Sequence, residues 1–412
     1  MAFPNLISTS DNTAIGFPGP ILAPNGALYT FLVDSGANKI AAFISFDGGV
    51  NWFNVTSVGP SDDTSTTFCV VLRGTVIWCI NKDPGTGNQA LTPFDTSSAT
   101  WGTTTVTTNG ASTFNGPVSA ALRSTDNQLV IAGQPSSLRY LGRIRTGFFT
   151  FDPVLLTWTA WTGMGYQIND TSHSCECGGI LPGPSGLMNF IIWTYGAPLT
   201  ANPSQLQNQT LTSGDVLGAL TTIDSVTLTG TAFPTYPQGY SDGTKAVIIW
   251  KQKDADTSVK VYEAPTSTWV WSAPQTLTLA ASETALGSIA VTISAGTYFA
   301  FLYSYDSVVH PNTTSIWVAQ DTGSGFGALS LVGTIPTSET GVPPFALWAA
   351  PLGSVAPWGI VFFANSNEYV YFWAGALAPN PCPCYLHCPG GDALTIYCTP
   401  CSPPLTCCTC KV

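Results

Sequence analysis

The sequence predicts an all-β chain folded as a seven-bladed β-propeller of four-stranded antiparallel blades, followed by a Cys-rich tail. Three observations predict it. An aromatic–acid turn recurs at intervals of roughly 50–60 residues, or about twice that where a copy is missing, a period typical of solenoids, propellers and arrays. About seven near-continuous apolar runs are spread along the 412 residues, as expected for strands buried on both faces. Charged residues are 8% of the chain, with 40 Gly and 31 Pro, against about 25% charge in an average soluble domain. That mixture suits short strands, many turns and a large apolar core. It disfavours disorder, which needs low hydrophobicity or high net charge.

The fullest turn is Ser45-Phe46-Asp47-Gly48-Gly49-Val50-Asn51-Trp52. An Asp side chain bonds backbone amides two residues on, and Gly accepts positive φ. Looser copies are Phe94-Asp95 with Trp101, Phe151-Asp152 with Trp158, and Tyr262-Glu263 with Trp269, and Asp321 with Phe326 is weaker still. In each unit the most apolar strand comes second: 27–34, 75–82, 128–135, 187–196, 245–253, 298–306 and 359–367. Gly-, Asn- or Asp-containing turns precede them, as at Asn25-Gly26, Arg73-Gly74 and Asp242-Gly243, which are hairpin signals. The third strands, 39–47, 88–95, 145–152, 205–213, 258–265, 313–321 and 368–375, end at the turn, and the fourth begins near its Trp.

The last unit lacks a fourth strand before the tail, and a strand-like segment near the start has no unit of its own. The economical division is 1–12 as a strand closing the last blade, 13–379 as the propeller and 380–412 as a Cys- and Pro-rich tail. Closure buries sheet edges that would otherwise be open; the alternative is a disordered N-terminus.

The motif at Ser45, Asp47, Gly49 and Trp52 resembles the Asp-box of sialidase-like propellers, Ser-x-Asp-x-Gly-x-x-Trp, with Asn51 where Thr is common. In that superfamily the box is a structural turn at the outer rim of a blade. The resemblance therefore implies architecture and, here, a non-catalytic member. Sialidase-like enzymes use three arginines, a Tyr-Glu nucleophile pair and an Asp acid/base, the first arginine lying ahead of the first box. This chain has five arginines, Arg73, Arg123, Arg139, Arg143 and Arg145, crowded into two adjacent units. A triad converging on a central axis needs donors spread round the ring.

No other catalytic constellation stands out. A glycosidase needs two carboxylates about 5–10 Å apart. Asp34, Asp126, Asp224, Asp242, Glu263, Asp306 and Glu368 are candidates, but most fall in turns, where Asp is commonly a turn former. His173, His310 and His387 are scattered; His173 lies near Cys175 and Cys177. No catalytic residue, metal site or cofactor is expected.

A net charge of −11 and a sequence pI of about 4.4 argue against nucleic acid, which needs basic patches, and against an anionic membrane surface. No apolar run of 18 residues occurs, so no membrane insertion is expected. The first residues lack the pattern of a signal peptide, yet the 12 cysteines suit an oxidising setting, extracellular or on a virion surface.

Cys69 and Cys79 flank a hairpin centred on Gly74. With that centre they pair directly across the strands, as a disulfide or as two buried thiols. Cys175 and Cys177 sit two apart on one strand face, too strained to bridge each other, which leaves a disulfide partner elsewhere, a metal or a free pair open. The tail holds Cys382, Cys384, Cys388, Cys398, Cys401, Cys407, Cys408 and Cys410. Eight cysteines allow 105 pairings. Disulfides are favoured over zinc because only Cys398-x-x-Cys401 has finger-like spacing, and a segment too small for its own core needs staples. Asn54, Asn169, Asn208 and Asn312 head glycosylation sequons, which would mark surface positions in a secreted chain.

Together these features predict a non-enzymatic structural and recognition module. It would self-associate or dock on a scaffold protein, with glycan as a further ligand and the tail anchoring or cross-linking it. Tyr166, Trp193 and Tyr240 are aromatics that could stack on sugars. The alternative is a carbohydrate-active hydrolase or lyase on the same fold.

Overall fold

The computed structural model describes residues 5–8, 15–17, 19–34, 37–55, 59–61, 67–108, 118–134, 146–164, 173–196, 204–227, 237–252, 257–279, 284–306, 313–336, 347–353, 356–364, 369–375, 385–387 and 395–397. Seven antiparallel blades follow one another along the chain. Blade 1 runs Ile21–Leu22, Leu28–Asp34, Lys39–Ser45 and Phe53–Asn54. Blade 2 runs Thr67–Arg73, Val76–Lys82, Gln89–Asp95 and Thr100–Trp101. Blade 3 runs Ser119–Leu122, Leu129–Gly133, Gly147–Asp152 and Thr157–Trp158. Blade 4 has the long strands His173–Pro182, Met188–Gly196, Ser204–Leu211 and Leu217–Val226. Blade 5 comprises Gln238–Ser241, Lys245–Trp250, Ser258–Pro265 and Gln275–Thr278. Blade 6 comprises Thr284–Ser294, Thr297–Asp306, Thr313–Gln320 and Ser330–Pro336. Blade 7 takes Leu347–Ala350, Gly359–Ala364 and Tyr369–Ala374 from the end of the ring. Its fourth strand is Asn5–Ser8, antiparallel to Tyr369–Ala374.

The first strands of successive blades lie side by side from blade 2 round to blade 7. They form the inner wall of the ring, and the fourth strands form its rim. Ile15–Phe17 runs parallel to Thr67–Arg73 at the inner edge of blade 2, a strand that the antiparallel repeat does not announce.

The second strands are apolar because each is sandwiched between neighbouring blades. Leu28–Asp34 and Val76–Lys82 are buried along nearly their whole lengths. Each wedge between blades is its own core. Ile191, Trp193 and Leu206 of blade 4 pack with Ile248, Trp250 and Tyr262 of blade 5. Val247, Val259 and Leu277 of blade 5 pack with Val291, Ala300 and Leu302 of blade 6. The aromatic that ends a turn fills the wedge toward the preceding blade. Trp52 meets Phe372 of blade 7 edge-on at 5.3 Å, and Trp101 meets Phe31 of blade 1 at 5.6 Å. Such pairs are worth about 0.5–1.5 kcal/mol beyond the area they bury.

Three expectations change. The first is the pairing of Cys69 with Cys79. The hairpin turns on two residues, with Arg73 opposite Val76, so Cys69 faces Ile80 and Cys79 faces Val70. A one-residue shift puts side chains on opposite faces: Cys69 lies in the wedge with blade 3 and Cys79 in the wedge with blade 1. Both are buried thiols, not a bridge. The second is Asn208, which is only 4% exposed on the third strand of blade 4 and so marks no surface sugar site in the folded chain. The third is the tail, whose prolines and Gly390-Gly391 predict neither helix nor strand, whereas Tyr385–His387 pairs with Thr395–Tyr397 in a hairpin. Those six residues include no proline or glycine. The eight tail cysteines, Asn169, Asn312, Tyr166 and His310 lie outside the described residues.

Candidate functional site

The turns that join first to second and third to fourth strands share one face of the ring. The turn at residues 45–52 shows how that face is built. Ser45 is fully buried, and its Oγ donates to Asp47 Oδ1 at 2.8 Å while accepting the Gly49 N–H at 2.8 Å. Asp47 Oδ1 also accepts the N–H groups of Val50 and Asn51, and Oδ2 accepts Asn51 Nδ2. Trp52 Nε1 donates to the Gly49 carbonyl at 3.1 Å. Gly49 has φ +94°, and a Cβ there would stand 2.0 Å from the Phe372 ring. The motif is thus a self-contained turn clipped onto blade 7, with its carboxylate taken up by structural bonds.

Three looser copies work in the same way. Asp95 Oδ1 accepts the Ser97 N–H and hydroxyl, and these bonds lower its pKa. Asp152 Oδ1 accepts the N–H groups of Val154 and Leu155, and Asp321 Oδ1 those of Gly323 and Gly325. The blade 5 copy departs from them. Its turn is held by Thr268 and Trp269 N–H groups on the Pro265 carbonyl. Glu263 Oε1 is buried with no hydrogen-bond partner among the described residues.

Most other candidate carboxylates are also occupied. Asp34 accepts the Ala37 N–H, and Asp242 accepts the N–H groups of Thr244 and Lys245. Asp126 and Asp215 clasp Arg123, whose side chain is 2% exposed, across blades 3 and 4. Arg123 is therefore a stitch between blades. Arg73 Nε donates to the Asn127 carbonyl, and Arg139, Arg143 and Arg145 lie outside the described residues. Asp224 Oδ2 accepts Lys260 Nζ at 2.8 Å, Gln252 Nε2 at 3.0 Å and the Tyr262 hydroxyl, all from blade 5. Burial works to raise the Asp224 carboxyl, but Lys260 and Tyr262 outweigh it and hold it low. Burial, then Asp224, pushes the Tyr262 phenol far up, so it keeps its proton as a donor. The side chains of Asp306 and Glu368 are outside the described set.

The wedge between blades 5 and 6 collects what remains. Burial raises the Glu263 carboxyl, and the Asp321 charge raises it further against a smaller opposing effect of Lys245. Lys245 Nζ sits 5.4 Å over the Tyr298 ring. Nearer the rim, a cleft of ≈ 400 Å³ runs along Thr276–Leu279, Trp317 and Phe326–Leu329, with no ionisable side chain in its lining. Leu279 gives its N–H to Thr257 across the sheet, so the main-chain groups of Thr276 and Thr278 alternate outward to the open edge. Gln275 Oε1 accepts the Phe326 N–H at 2.7 Å and ties the two walls together. Of the aromatics named from sequence, Trp193 is buried and donates Nε1 to Ser204 Oγ. Tyr240 is also largely enclosed, and burial lifts its phenol to about 12. Cys177 is a buried thiol, likewise raised by burial to about 12. Nothing in the sequence pointed to Trp317 or Phe326 as cleft residues.

No family model matches the chain, and no curated protein matches it. Solved structures do. An ulvan lyase of a polysaccharide lyase family superposes with TM-score 0.59 at 8% identity, over 91% of this chain and 94% of that one. The hydrazine synthase of Kuenenia stuttgartiensis gives 0.50 at 9% identity, over 89% and 96%. A Hadza microbial sialidase gives 0.49 at 10% identity, over 88% and 75%. At these identities the likeness is one of fold, a propeller shared with the ulvan lyase and the hydrazine synthase.

Proposed function

We propose that this chain is a non-enzymatic recognition and structural propeller, working outside the cell or on a virion surface, with glycan or protein as ligand. The tail would anchor or cross-link it. The observation that carries this reading is the fate of the carboxylates. Asp34, Asp47, Asp95, Asp126, Asp152, Asp224, Asp242 and Asp321 are each engaged by a turn N–H, a stitch or both. A general acid or base has to be within reach of a reacting proton and tuned toward the working pH; carboxylates whose oxygens are taken up by structural donors suit turn-building instead. The cleft between blades 5 and 6 is the seat for a glycan. Its aromatic wall suits the C–H face of a sugar, and the outward main-chain groups of Thr276 and Thr278 suit its hydroxyls.

The test is incubation with neutral and acidic polysaccharides, following binding by affinity electrophoresis and turnover by new reducing ends and new C=C absorbance. Binding without either product is expected. Turnover would overturn the reading, as would failure to bind any polysaccharide together with a monomeric sedimentation profile in the presence and absence of reductant.

One observation favours a second reading, a carbohydrate-active enzyme. Glu263 is a raised carboxyl beside the Asp321 carboxylate, the polarity of an acid paired with a base. If turnover is seen, Glu263→Gln must abolish it for this pair to be responsible.

A further inference from the structure

Of the nine exposed large hydrophobic side chains among the described residues, Leu6 and Leu331 lie within the outer strands of blades 7 and 6. The other seven, Val50, Phe53, Val154, Leu155, Leu156, Val216 and Val270, are 47–70% exposed, and all stand in or directly after third-to-fourth-strand turns. They therefore lie on one face of the ring. Val154, Leu155, Leu156, Val216 and Val270 belong to the consecutive blades 3, 4 and 5 and form an arc. Single exposed apolar residues need no explanation, whereas concentration on one face does.

The arc is held stiffly. Arg123 of blade 3 grips Asp215, the neighbour of Val216 in blade 4. Gly183 of blade 4 lets the Trp269 ring, next to Val270 in blade 5, come so close that a Cβ would be 3.0 Å away. Asp152 caps the turn that raises Val154 and Leu155. Rigid tips lose little entropy on docking. Acidic groups stand among them: Asp152 and Asp215 in the same turns, and Asp242 beside Lys245 in the first-to-second-strand turn of blade 5 on the same face, while Arg123 is buried and shared by Asp126 and Asp215.

We propose that this arc on the turn face of blades 3–5 docks a partner protein whose surface combines cationic and apolar side chains. Val and Leu tips offer a sugar neither a ring to stack on nor a donor. A second copy would set acidic turns against acidic turns, and an anionic bilayer would do the same. A basic, apolar protein surface meets both the tips and their charges. This goes beyond the glycan cleft, which lies in the wedge between blades 5 and 6.

The experiment measures fluorescence anisotropy of three labelled peptides on the full chain: a Leu/Lys amphipathic peptide, a Gly/Lys peptide of equal charge and a Leu/Glu peptide of equal hydrophobicity. The Leu/Lys peptide should bind at least about tenfold more tightly than either control, about 1.4 kcal/mol. The combined variant Val154→Ser, Leu155→Ser, Leu156→Ser should remove that margin, and Val50→Ser, off the arc, should keep it. Equal binding of the Leu/Lys and Gly/Lys peptides would overturn the proposal, as would an unchanged margin in the triple variant. Sedimentation velocity showing self-association that the triple variant abolishes would assign the face to a second copy and also overturn it. Polysaccharide binding by the parent chain reports separately on the cleft: its absence would break the glycan reading and leave this one standing.

Discussion

Blades 1 and 5 each carry a carboxylate ahead of a Trp near the end of the third strand and use it in opposite ways: Asp47 stands in the turn past Lys39–Ser45, whereas Glu263 stands within Ser258–Pro265, opposite Val247. In blade 1 the short side chain of Asp47 turns back on its own loop and collects the N–H groups of Val50 and Asn51 and the Ser45 hydroxyl. In blade 5 the turn is held on the Pro265 carbonyl, and one oxygen of Glu263 is buried between blades without a partner among the described residues. Standing inside the strand rather than in the turn moves the acid from a satisfied cap to a desolvated wedge. A loose repeat therefore fixes the neighbourhood of an acid, and its position relative to the strand end decides whether it caps the turn.

The comparison breaks most visibly at Gly49. Its φ of +94° and the 2.0 Å approach of a Cβ to Phe372 leave an alanine no room, because the ring is itself packed against Trp52. Gly49→Ala should cost about 3–4 kcal/mol, read as a large drop in the denaturant midpoint with an unchanged slope. Asp47→Ala comes next. It strips acceptors from two turn amides and the Ser45 hydroxyl, at a cost of about 1–2 kcal/mol. If the box were expendable, both variants would unfold with the parent.

Asp224→Asn sharpens the contrast from the other side. Burial opposes the Asp224 charge, but Lys260 and Tyr262 prevail and its folded pKa lies below the unfolded one. Its stabilisation is present above the unfolded carboxyl range and is lost as pH falls through the folded pKa. The variant should therefore be weaker than the parent at neutral pH by about 1 kcal/mol, and the gap should close in acid. A gap independent of pH would show that packing, and not charge, joins blades 4 and 5 there.

The seven second strands and seven third strands were legible because burial on both faces leaves an apolar run in the sequence and the turn leaves its Asp and Trp. The closing strand Asn5–Ser8 was legible by elimination. Register was less so: the Cys69 hairpin needs its loop to be the two residues Gly74 and Thr75, the length that matches strand twist, and centring it on Gly74 alone moved one cysteine to the wrong face. The parallel strand Ile15–Phe17 left no alternation to read over three residues. Neither the cleft nor the apolar arc was legible, since the cleft sets Leu277 of blade 5 against Trp317 and Phe326 of blade 6, the arc sets Leu155 of blade 3 beside Val216 of blade 4, and only the packing of blade on blade brings them to shared surfaces.

The smallest expected effect is also the most discriminating. Glu263 has its folded pKa raised, first by burial and then by Asp321, so the sign reverses relative to Asp224. Below the unfolded carboxyl pKa of about 4.3 both states hold the proton and Glu263 has no pH-linked effect. As pH rises toward the folded pKa the unfolded chain ionises first, and stability falls. Glu263→Gln removes that penalty. It should match the parent in acid and exceed it slightly at neutral pH, by less than about 1 kcal/mol because the amide is itself buried. Opposite pH slopes for the Asp224 and Glu263 variants would place structural pairing in the wedge of blades 4 and 5 and a poised acid in the wedge of blades 5 and 6. Parallel slopes would erase the distinction and with it the reason to test Glu263 for catalysis.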